Sequence, residues 1–241
     1  MVVRTLDAKR DPFRPNEDEE EILEPEVPYL SVIGALLYLA QCTRPDISFV
    51  VNLLARYINA PTRRHWNGVK DIFHYLKGIT DLSLFYTYES PSNAAPYSSR
   101  IDSRLVGYAD ARYLSNPHRS HSQTGYVFTV GDTTISWRST KQTLVVTLFN
   151  LAEILTLHEA SHNAACIEQL KKGYIKGDNT KHIAPKFFYL HQHQQHQNIE
   201  VKKIRSQDNL ADLFTKSLPK STFQKLIQEI GMRKLSELNR L

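Results

Sequence analysis

The sequence predicts an α/β protein in which a small helical unit precedes a sheet-bearing domain. Three observations support this fold class: helical periodicity early in the chain, short strands with a tight turn in the middle, and renewed helical periodicity after them. The 241 residues, 41% hydrophobic and 23% charged, suffice for one sizeable core or two small ones. Residues 1–28, which are rich in proline and charge, predict a flexible lead-in.

Residues 29–88 predict a helical unit. Apolar residues recur at helical spacing in three runs, which begin near Ile33, Ile47 and Trp66. The residues between the runs agree with three helices: Ser31 is a possible first cap, Pro45 precedes the second start, Pro61 and Thr62 precede the third, and Gly78 is a stop. Leu82–Thr87 then predicts a strand.

A polar segment, Glu89–Arg100, predicts a linker and a domain boundary. Three strands are expected beyond it, at Leu105–Ala109, Thr124–Val130 and Thr133–Trp137. Gly131 and Asp132 supply a two-residue turn between the last two. The sequence therefore predicts an antiparallel meander.

Helical periodicity returns after the meander. The predicted elements are a helix at Leu151–Leu170, a basic loop at Lys171–Lys181, a helix at Pro185–Gln194, a strand at Ile199–Ile204 and two short helices at Asp208–Thr215 and Ser221–Ile230. No apolar run between Leu151 and Asn198 is long enough for a central strand. The sheet is therefore expected to lack one interior member, which leaves backbone groups unpaired at about 1–3 kcal/mol each if buried.

Charge and cysteine content bound the class of partner. The net charge of +5 and the pI near 9.1 favour polyanions such as nucleic acid.

Cys42 and Cys166 lie far apart in helical contexts, which predicts free thiols and a reducing compartment, cytoplasmic or nuclear. There is no signal peptide, and the most apolar stretch, Val32–Ala40, is too short to cross a bilayer, so neither secretion nor a membrane partner is expected. The oligomeric state stays open.

Three carboxylates stand out: Asp110 at the predicted end of the first meander strand, Glu153 at the start of the following helix, and Asp212 in a short late helix. Each alone has an ordinary structural explanation, as a turn residue, a helix-dipole partner or a solvated helix face. Phosphodiester cleavage by two metals needs a cluster of acidic oxygen ligands. Together, in this element order, the three acids predict a catalytic Mg²⁺ site.

Longer motifs carry a family resemblance. Five runs of the chain resemble the RNase H domain of copia-type retrotransposon Pol polyproteins. They are Tyr108–Ala111, Ser122–Phe128, Ile135–Gln142, Thr180–Ile183 and Leu210–Lys216. Upstream, parts of Gly34–Leu39, Thr43–Ile47, His65–Trp66 and Tyr75–Gly78 look like the end of the same polyprotein's reverse transcriptase. The resemblance covers nearly the whole chain.

The resemblance implies an RNase H-like mixed sheet and a nuclease that cuts the RNA strand of an RNA/DNA hybrid with two Mg²⁺ ions. By carry-over, Asp110 would bridge both metals, Glu153 would hold one and Asp212 the other. The domains implied are a reverse transcriptase thumb or connection remnant over 29–88, a truncated RNase H-like domain over 101–218 and a C-terminal helical tail over 219–241.

The chain departs from the family pattern after the helix that carries Glu153. The family has a hydrophobic strand there, ending in an acidic pair with Asn, Ala, Ala and Cys close behind. In this chain Leu157–Ser161 runs directly into His162, which stands where the third catalytic Asp would be. The expected consequence is an inactive remnant, because histidine is a poor ligand for so hard a cation.

Two other interpretations stay open. His158, Glu159 and His162 form H-E-x-x-H, the spacing of a zinc metallopeptidase, although no downstream Gly-x-x-His follows to complete a metzincin site. Alternatively, the chain is a noncatalytic nucleic-acid-binding remnant.

Reverse transcription itself is excluded because the palm with its paired aspartates is absent. The candidates for phosphate contacts in the helical unit are Arg56, Arg63, Arg64 and Lys70, which could equally be solvated helix residues.

Overall fold

The computed structural model describes residues 20–86, 105–116, 121–130, 133–144, 152–161 and 201–238. Its helices are α1 (Tyr29–Cys42), α2 (Ser48–Ala55), α3 (Arg63–Gly78), α4 (152–161), α5 (Lys220–Glu229) and α6 (Leu235–Leu238). Its strands are β1 (Leu82–Leu84), β2 (Leu105–Asn116), β3 (His121–Val130), β4 (Thr133–Lys141) and β5 (Met232–Lys234). Short 3₁₀ helices occupy Pro45–Ile47, Ser206–Asp208 and Leu210–Phe214.

Several predictions lie outside the described residues. These are the linker at Glu89–Arg100, the turn at Gly131 and Asp132, the end of the helix at Leu151–Leu170, the basic loop at Lys171–Lys181, the helix at Pro185–Gln194, the gap in the sheet after Ser161, and both His162 and Cys166.

The three predicted N-terminal helices are confirmed. Thr62 caps α3 in a capping box, in which the Thr62 backbone N–H donates to Nδ1 of His65 at 3.0 Å. Gly78 ends α3 as predicted. The prediction that Ser31 caps the first helix is wrong, because α1 already begins at Tyr29 without a side-chain cap. The three helices bury one apolar cluster between them: Tyr29, Ile33, Leu36, Ala40, Ile47, Val51, Leu54, Val69 and Ile72.

Part of the predicted lead-in contacts these helices. Ile22 forms an isolated bridge with Thr62, the Leu23 N–H donates to the Pro61 carbonyl at 2.8 Å, and the Leu23 side chain packs on the helical cluster. Residues 20–28 thus lie along the start of α3. The predicted boundaries of the lead-in and of the two domains stay predictions.

The predicted meander is confirmed as a three-stranded antiparallel sheet in the order β2–β3–β4. Its strands are longer than expected. Asp110 does not close the first strand, because its pairing with Gly125 is followed by pairing of Arg112 with Gln123, so the ladder continues. β3 is the central strand of this sheet, and its residues 122–129 are all buried.

A second, two-stranded sheet joins distant parts of the chain. β1 pairs antiparallel with β5, with Leu82 opposite Lys234 and Leu84 opposite Met232. The sequence predicted β1 but no partner for it, and it predicted only helix near the C-terminus. Gly231, with φ of 88°, turns the chain from α5 into β5, a backbone conformation that favours glycine.

The predicted strand at Ile199–Ile204 is wrong for its described residues, since 201–205 have no regular structure. Val201 and Ile204 are 44% and 42% exposed, so this segment has no apolar face to bury against a sheet.

One core links the helical unit, the meander and the C-terminal elements. Its buried members are Leu82, Val127, Leu210, Leu213, Phe214, Leu218, Phe223, Leu226, Ile227, Ile230 and Met232. Tyr75 from α3 packs against it, and Trp137 Nε1 of β4 donates to the Ala40 carbonyl of α1 at 2.7 Å. The mixed α/β fold class is therefore confirmed, and within the described ranges no helix is both long and apolar enough to cross a membrane.

Candidate acidic site

Asn209 fixes the 3₁₀ helix Leu210–Phe214 beside β2. Its Nδ2 donates to the Ala109 carbonyl at 3.0 Å, and its Oδ1 accepts from the Ala211 N–H at 3.1 Å, so one side chain caps the short helix and ties it to the strand. Asp212 lies in that helix and Asp110 follows Ala109 in β2. The cap therefore brings two of the predicted acids to the same place.

Gly125 allows this close approach from the neighbouring strand. A Cβ at Gly125 would lie 2.5 Å from Cγ2 of Thr215 and 2.8 Å from Cβ of Phe214, distances that real side chains do not tolerate. Only glycine therefore lets the segment around Thr215 rest on the middle of β3.

Lys216 forms the centre of the acidic site. Its Nζ lies 2.6 Å from Oδ1 of Asp212 and 3.8 Å from Oδ2 of Asp110. Thr215 Oγ1 donates to Asp110 Oδ2, and Ser206 Oγ donates to Asp212 Oδ2 at 3.2 Å. Lys216 and Thr215 were not predicted as site residues from the sequence. The available signal was the i, i+4 spacing of Asp212 and Lys216, which is typical of a helical ion pair.

Glu153 lies in α4, near the first of the described residues of that helix. Gln142 holds this end of α4 on the sheet, because its Nε2 donates to the Ala152 carbonyl and to Thr124 Oγ1, both at 3.0 Å. Thr156 of α4 also contacts Thr124, with 3.0 Å between the two hydroxyl oxygens. These buried polar contacts hold the described part of α4 against β3.

The three acids share one electrostatic environment. Burial, the largest cause, and the charge of Asp110 together raise the pKa of Glu153 to about 7, although a backbone hydrogen bond from Ala111 and the charge of Lys216 oppose the rise. Burial and the charge of Asp110 also raise the pKa of Asp212, although Lys216 and Ser206 pull it down. Asp110 thus lies close enough to act on both other acids.

The type of ligand atom at this site favours Mg²⁺ binding, whereas the arrangement of the side chains does not. Carboxylate oxygens are the ligands that Mg²⁺ prefers. Yet in the part of the chain that the structure describes, no three His, Cys, Asp or Glu side chains come close enough together to hold a metal ion. Instead the Lys216 ammonium lies between Asp110 and Asp212. In this arrangement Lys216 neutralises the described acidic cluster.

The four basic candidates of the helical unit differ in their surroundings. Arg56 donates through its guanidinium to Gln123 Oε1 on β3, and Arg64 pairs with Glu20 at 2.8 Å. Arg63 and Lys70 are exposed on α3. The first two therefore already make contacts within the protein, and the last two face solvent.

The zinc interpretation rests on residues of which only part is described. His158 is buried, at 7% exposure, in α4, while His162 lies outside the described residues. The zinc site therefore stays a prediction.

Comparison with known proteins places the chain in a family. It is 30% identical to the retrovirus-related Pol polyprotein from transposon TNT 1-94 of Nicotiana tabacum, over 90% of this chain and 17% of the relative. It is 29% identical to that from transposon RE2 of Arabidopsis thaliana, over 86% of this chain and 15% of the relative. It is also 33% identical to the secreted RxLR effector protein 161 of Plasmopara viticola, over 57% of this chain and 89% of that protein.

No protein-family model and no solved structure matches the chain. The chain spans about one sixth of the length of the Pol polyproteins that it matches, and the alignments cover most of its own residues. The resemblance read from the motifs is thereby confirmed: the chain belongs to the family of retrovirus-related Pol polyproteins of copia-type transposons.

Proposed function

We propose that the chain carries an RNase H-like domain that binds nucleic acid but does not cleave RNA/DNA hybrids efficiently. One observation carries this proposal: the Lys216 ammonium lies between Asp110 and Asp212, the two acids that the family resemblance makes metal ligands. A cation already neutralises the oxygens that Mg²⁺ would need. The departure of the sequence after Ser161, where the family has a further acid, acts in the same direction.

The element order supports the fold assignment within this proposal. An antiparallel meander bears Asp110 on its first strand, a helix beginning near Glu153 follows, and a late short helix carries Asp212. An RNase H-like domain places its acids on elements in this order. The family membership supports nucleic acid as the partner, as does the net charge of +5.

A hybrid-cleavage assay tests the loss of activity. A labelled RNA/DNA hybrid is incubated with the full chain and Mg²⁺, beside the Asp110→Asn variant. We expect equal, background-level RNA cleavage from both proteins, because the acidic cluster lacks a metal-binding arrangement. Cleavage by the unsubstituted chain that Asp110→Asn abolishes would overturn the claim of inactivity and leave the RNase H-like assignment standing.

A binding assay tests the remaining part of the proposal. The affinity for a hybrid and for double-stranded DNA is measured at several salt concentrations, with a double variant, Arg63→Ala with Lys70→Ala. Each lost phosphate contact is expected to reduce the salt slope by about 1. The matched control is Lys220→Ala with Lys225→Ala on α5. No binding of either duplex at low salt would refute nucleic-acid binding by this chain.

The zinc peptidase alternative gains no specific support from the described residues. Caseinolysis and zinc analysis of purified protein, with and without His158→Ala, would detect it.

The free, exposed thiol of Cys42 suits the reducing compartment, cytoplasmic or nuclear, that the sequence predicts.

A further inference from the structure

A cavity of about 510 Å³ lies between α2, α3 and the segment that leads from the 3₁₀ helix Leu210–Phe214 into α5. Its walls are mainly apolar: Phe49 and Leu53 come from α2, Ile72 from α3, and Leu213 and Phe223 from the opposite side. Small-molecule sites typically have volumes of about 300–1,000 Å³, whereas voids in well-packed cores rarely exceed the size of a water molecule. The cavity is therefore of the size of a ligand site.

Two of the charged groups at its wall, Asp46 and Lys216, are already compensated within the protein. Asp46 accepts from Arg44 Nε at 2.9 Å, from the terminal guanidinium nitrogen at 2.7 Å and from the Tyr75 hydroxyl at 2.8 Å. The Lys216 ammonium pairs with Asp212 at 2.6 Å. An ionic ligand would have to break one of these pairs or be desolvated without a counter-charge, and both are costly.

Asp71 is the remaining charge at the cavity wall, and it is exposed. Its carboxylate opposes an anionic ligand. We propose that this cavity is a binding site for an uncharged, largely apolar molecule that contains aromatic rings. Phe49, Phe223 and the ring of Tyr75 supply the aromatic surface, and the aliphatic walls supply the rest.

A molecule bound in this cavity would contact residues that are next to, or part of, the acidic site. Leu213, which lines the cavity, directly follows Asp212, and Lys216 contributes to both the cavity wall and the acidic cluster. The proposal goes beyond the nuclease-like assignment and does not depend on it, because binding is measured without nucleic acid or metal.

The test uses the uncharged fluorescent probe N-phenyl-1-naphthylamine with the full chain. We expect saturable binding with a blue-shifted emission, and weaker binding of the anionic 1-anilinonaphthalene-8-sulfonate. Gly68→Leu places a side chain on the cavity wall in α3, where leucine is also the better helix former. It should weaken probe binding by about tenfold or more, because the added side chain takes up the ligand's space.

The matched control is Gly34→Leu in α1, where an added Cβ has nothing within 4 Å. It should leave the affinity for the probe unchanged. Val50→Phe, on the α2 wall, provides a second cavity-filling variant if Gly68→Leu alters thermal unfolding. The proposal is overturned if the probe shows no saturable binding, which would mean that the cavity holds only water. It is also overturned if both filled variants bind the probe as tightly as the unsubstituted chain, which would place the probe elsewhere.

Discussion

The Nζ atom of Lys216 lies 2.6 Å from Oδ1 of Asp212 and 3.8 Å from Oδ2 of Asp110. One ammonium group thus compensates two carboxylates that come from elements a hundred residues apart in the chain. Asp212 and Lys216 are separated by one helical turn, so their pairing is local, whereas Asp110 joins them only through the packing of β2. A metal ion bound between these two carboxylates would lie beside the positive charge of Lys216, which opposes its binding.

Replacing Lys216 by methionine keeps the aliphatic stem and removes the charge. We expect Lys216→Met to bind Mg²⁺ about tenfold more tightly, because a doubly charged Mg²⁺ and an ammonium about 4 Å apart repel by about 8 kcal/mol at an effective dielectric constant of 20, and a flexible lysine escapes most of this repulsion by moving away. Isothermal titration calorimetry at about pH 8 measures the effect. Lys225→Met, which removes an exposed pair with Glu229, is the control. Equal Mg²⁺ affinity in the two variants would contradict the role of Lys216.

Glu153 makes stability depend on pH. Its pKa is about 7 in the folded chain and 4.5 in its ordinary state, so the folded state binds more protons than the unfolded state between those values. Stability from this group is fully present below about pH 4.5 and is lost as pH rises through about 7, by no more than about 3 kcal/mol. Urea unfolding of the chain and of Glu153→Gln should therefore diverge as pH rises, with the variant the more stable at about pH 8. Parallel curves for the two proteins would count against the raised pKa.

The Ala40 carbonyl receives two hydrogen bonds from outside its own helix. Trp137 Nε1 donates at 2.7 Å and Ser48 Oγ at 3.1 Å, and α1 ends two residues later, so the carbonyl lies among the last four that lack a helical partner. Trp137→Phe and Ser48→Ala should each cost about 1 kcal/mol of unfolding free energy.

The double variant should lose about 1 kcal/mol more than the sum of the two, because only then is the buried carbonyl left unpaired. Urea denaturation of all four proteins gives the coupling energy. Strict additivity would show that water or another donor replaces the lost bonds.

Gly125→Ala should destabilise the chain by about 3 kcal/mol, because the added methyl group would press on Thr215 and Phe214 and push the Asp212 helix from the sheet. Gly34→Ala is the matched control, since its Cβ meets nothing within 4 Å and alanine favours a helix by up to about 1 kcal/mol. The two variants should shift the thermal midpoint in opposite directions. A midpoint for Gly125→Ala equal to that of the unsubstituted chain would disprove the close approach.

The helical unit was predictable because its signals are local. The spacing of apolar residues, the cap at Thr62 and the stop at Gly78 all lie within the helices that they define. The meander was predictable for the same reason, as its three strands follow one another closely in the sequence. The extension of β2 beyond Ala109 was not, because polar residues such as Arg112 stay in the strand through pairing with β3 rather than through an apolar pattern.

The features that the sequence could not supply depend on distant pairing. β5 is three residues long and is a strand only because β1, about 150 residues earlier, hydrogen-bonds to it. At Val201 and Ile204 the error is the reverse: an apolar pattern suggested a strand, and residues 201–205 pair with no strand among the described residues. The acids were found by residue type, and whether they surround a metal or a lysine is decided by packing.

The pairing of β1 with β5 limits how the protein can be shortened. A polypeptide that starts at residue 101 keeps the meander but lacks the strand that covers Met232, whose side chain is fully buried in the whole chain. Its C-terminal edge would then offer unpaired backbone groups beside an uncovered apolar side chain, the combination that promotes self-association. A shortened protein that contains the nuclease-like portion should therefore retain residues 29–86 to avoid self-association.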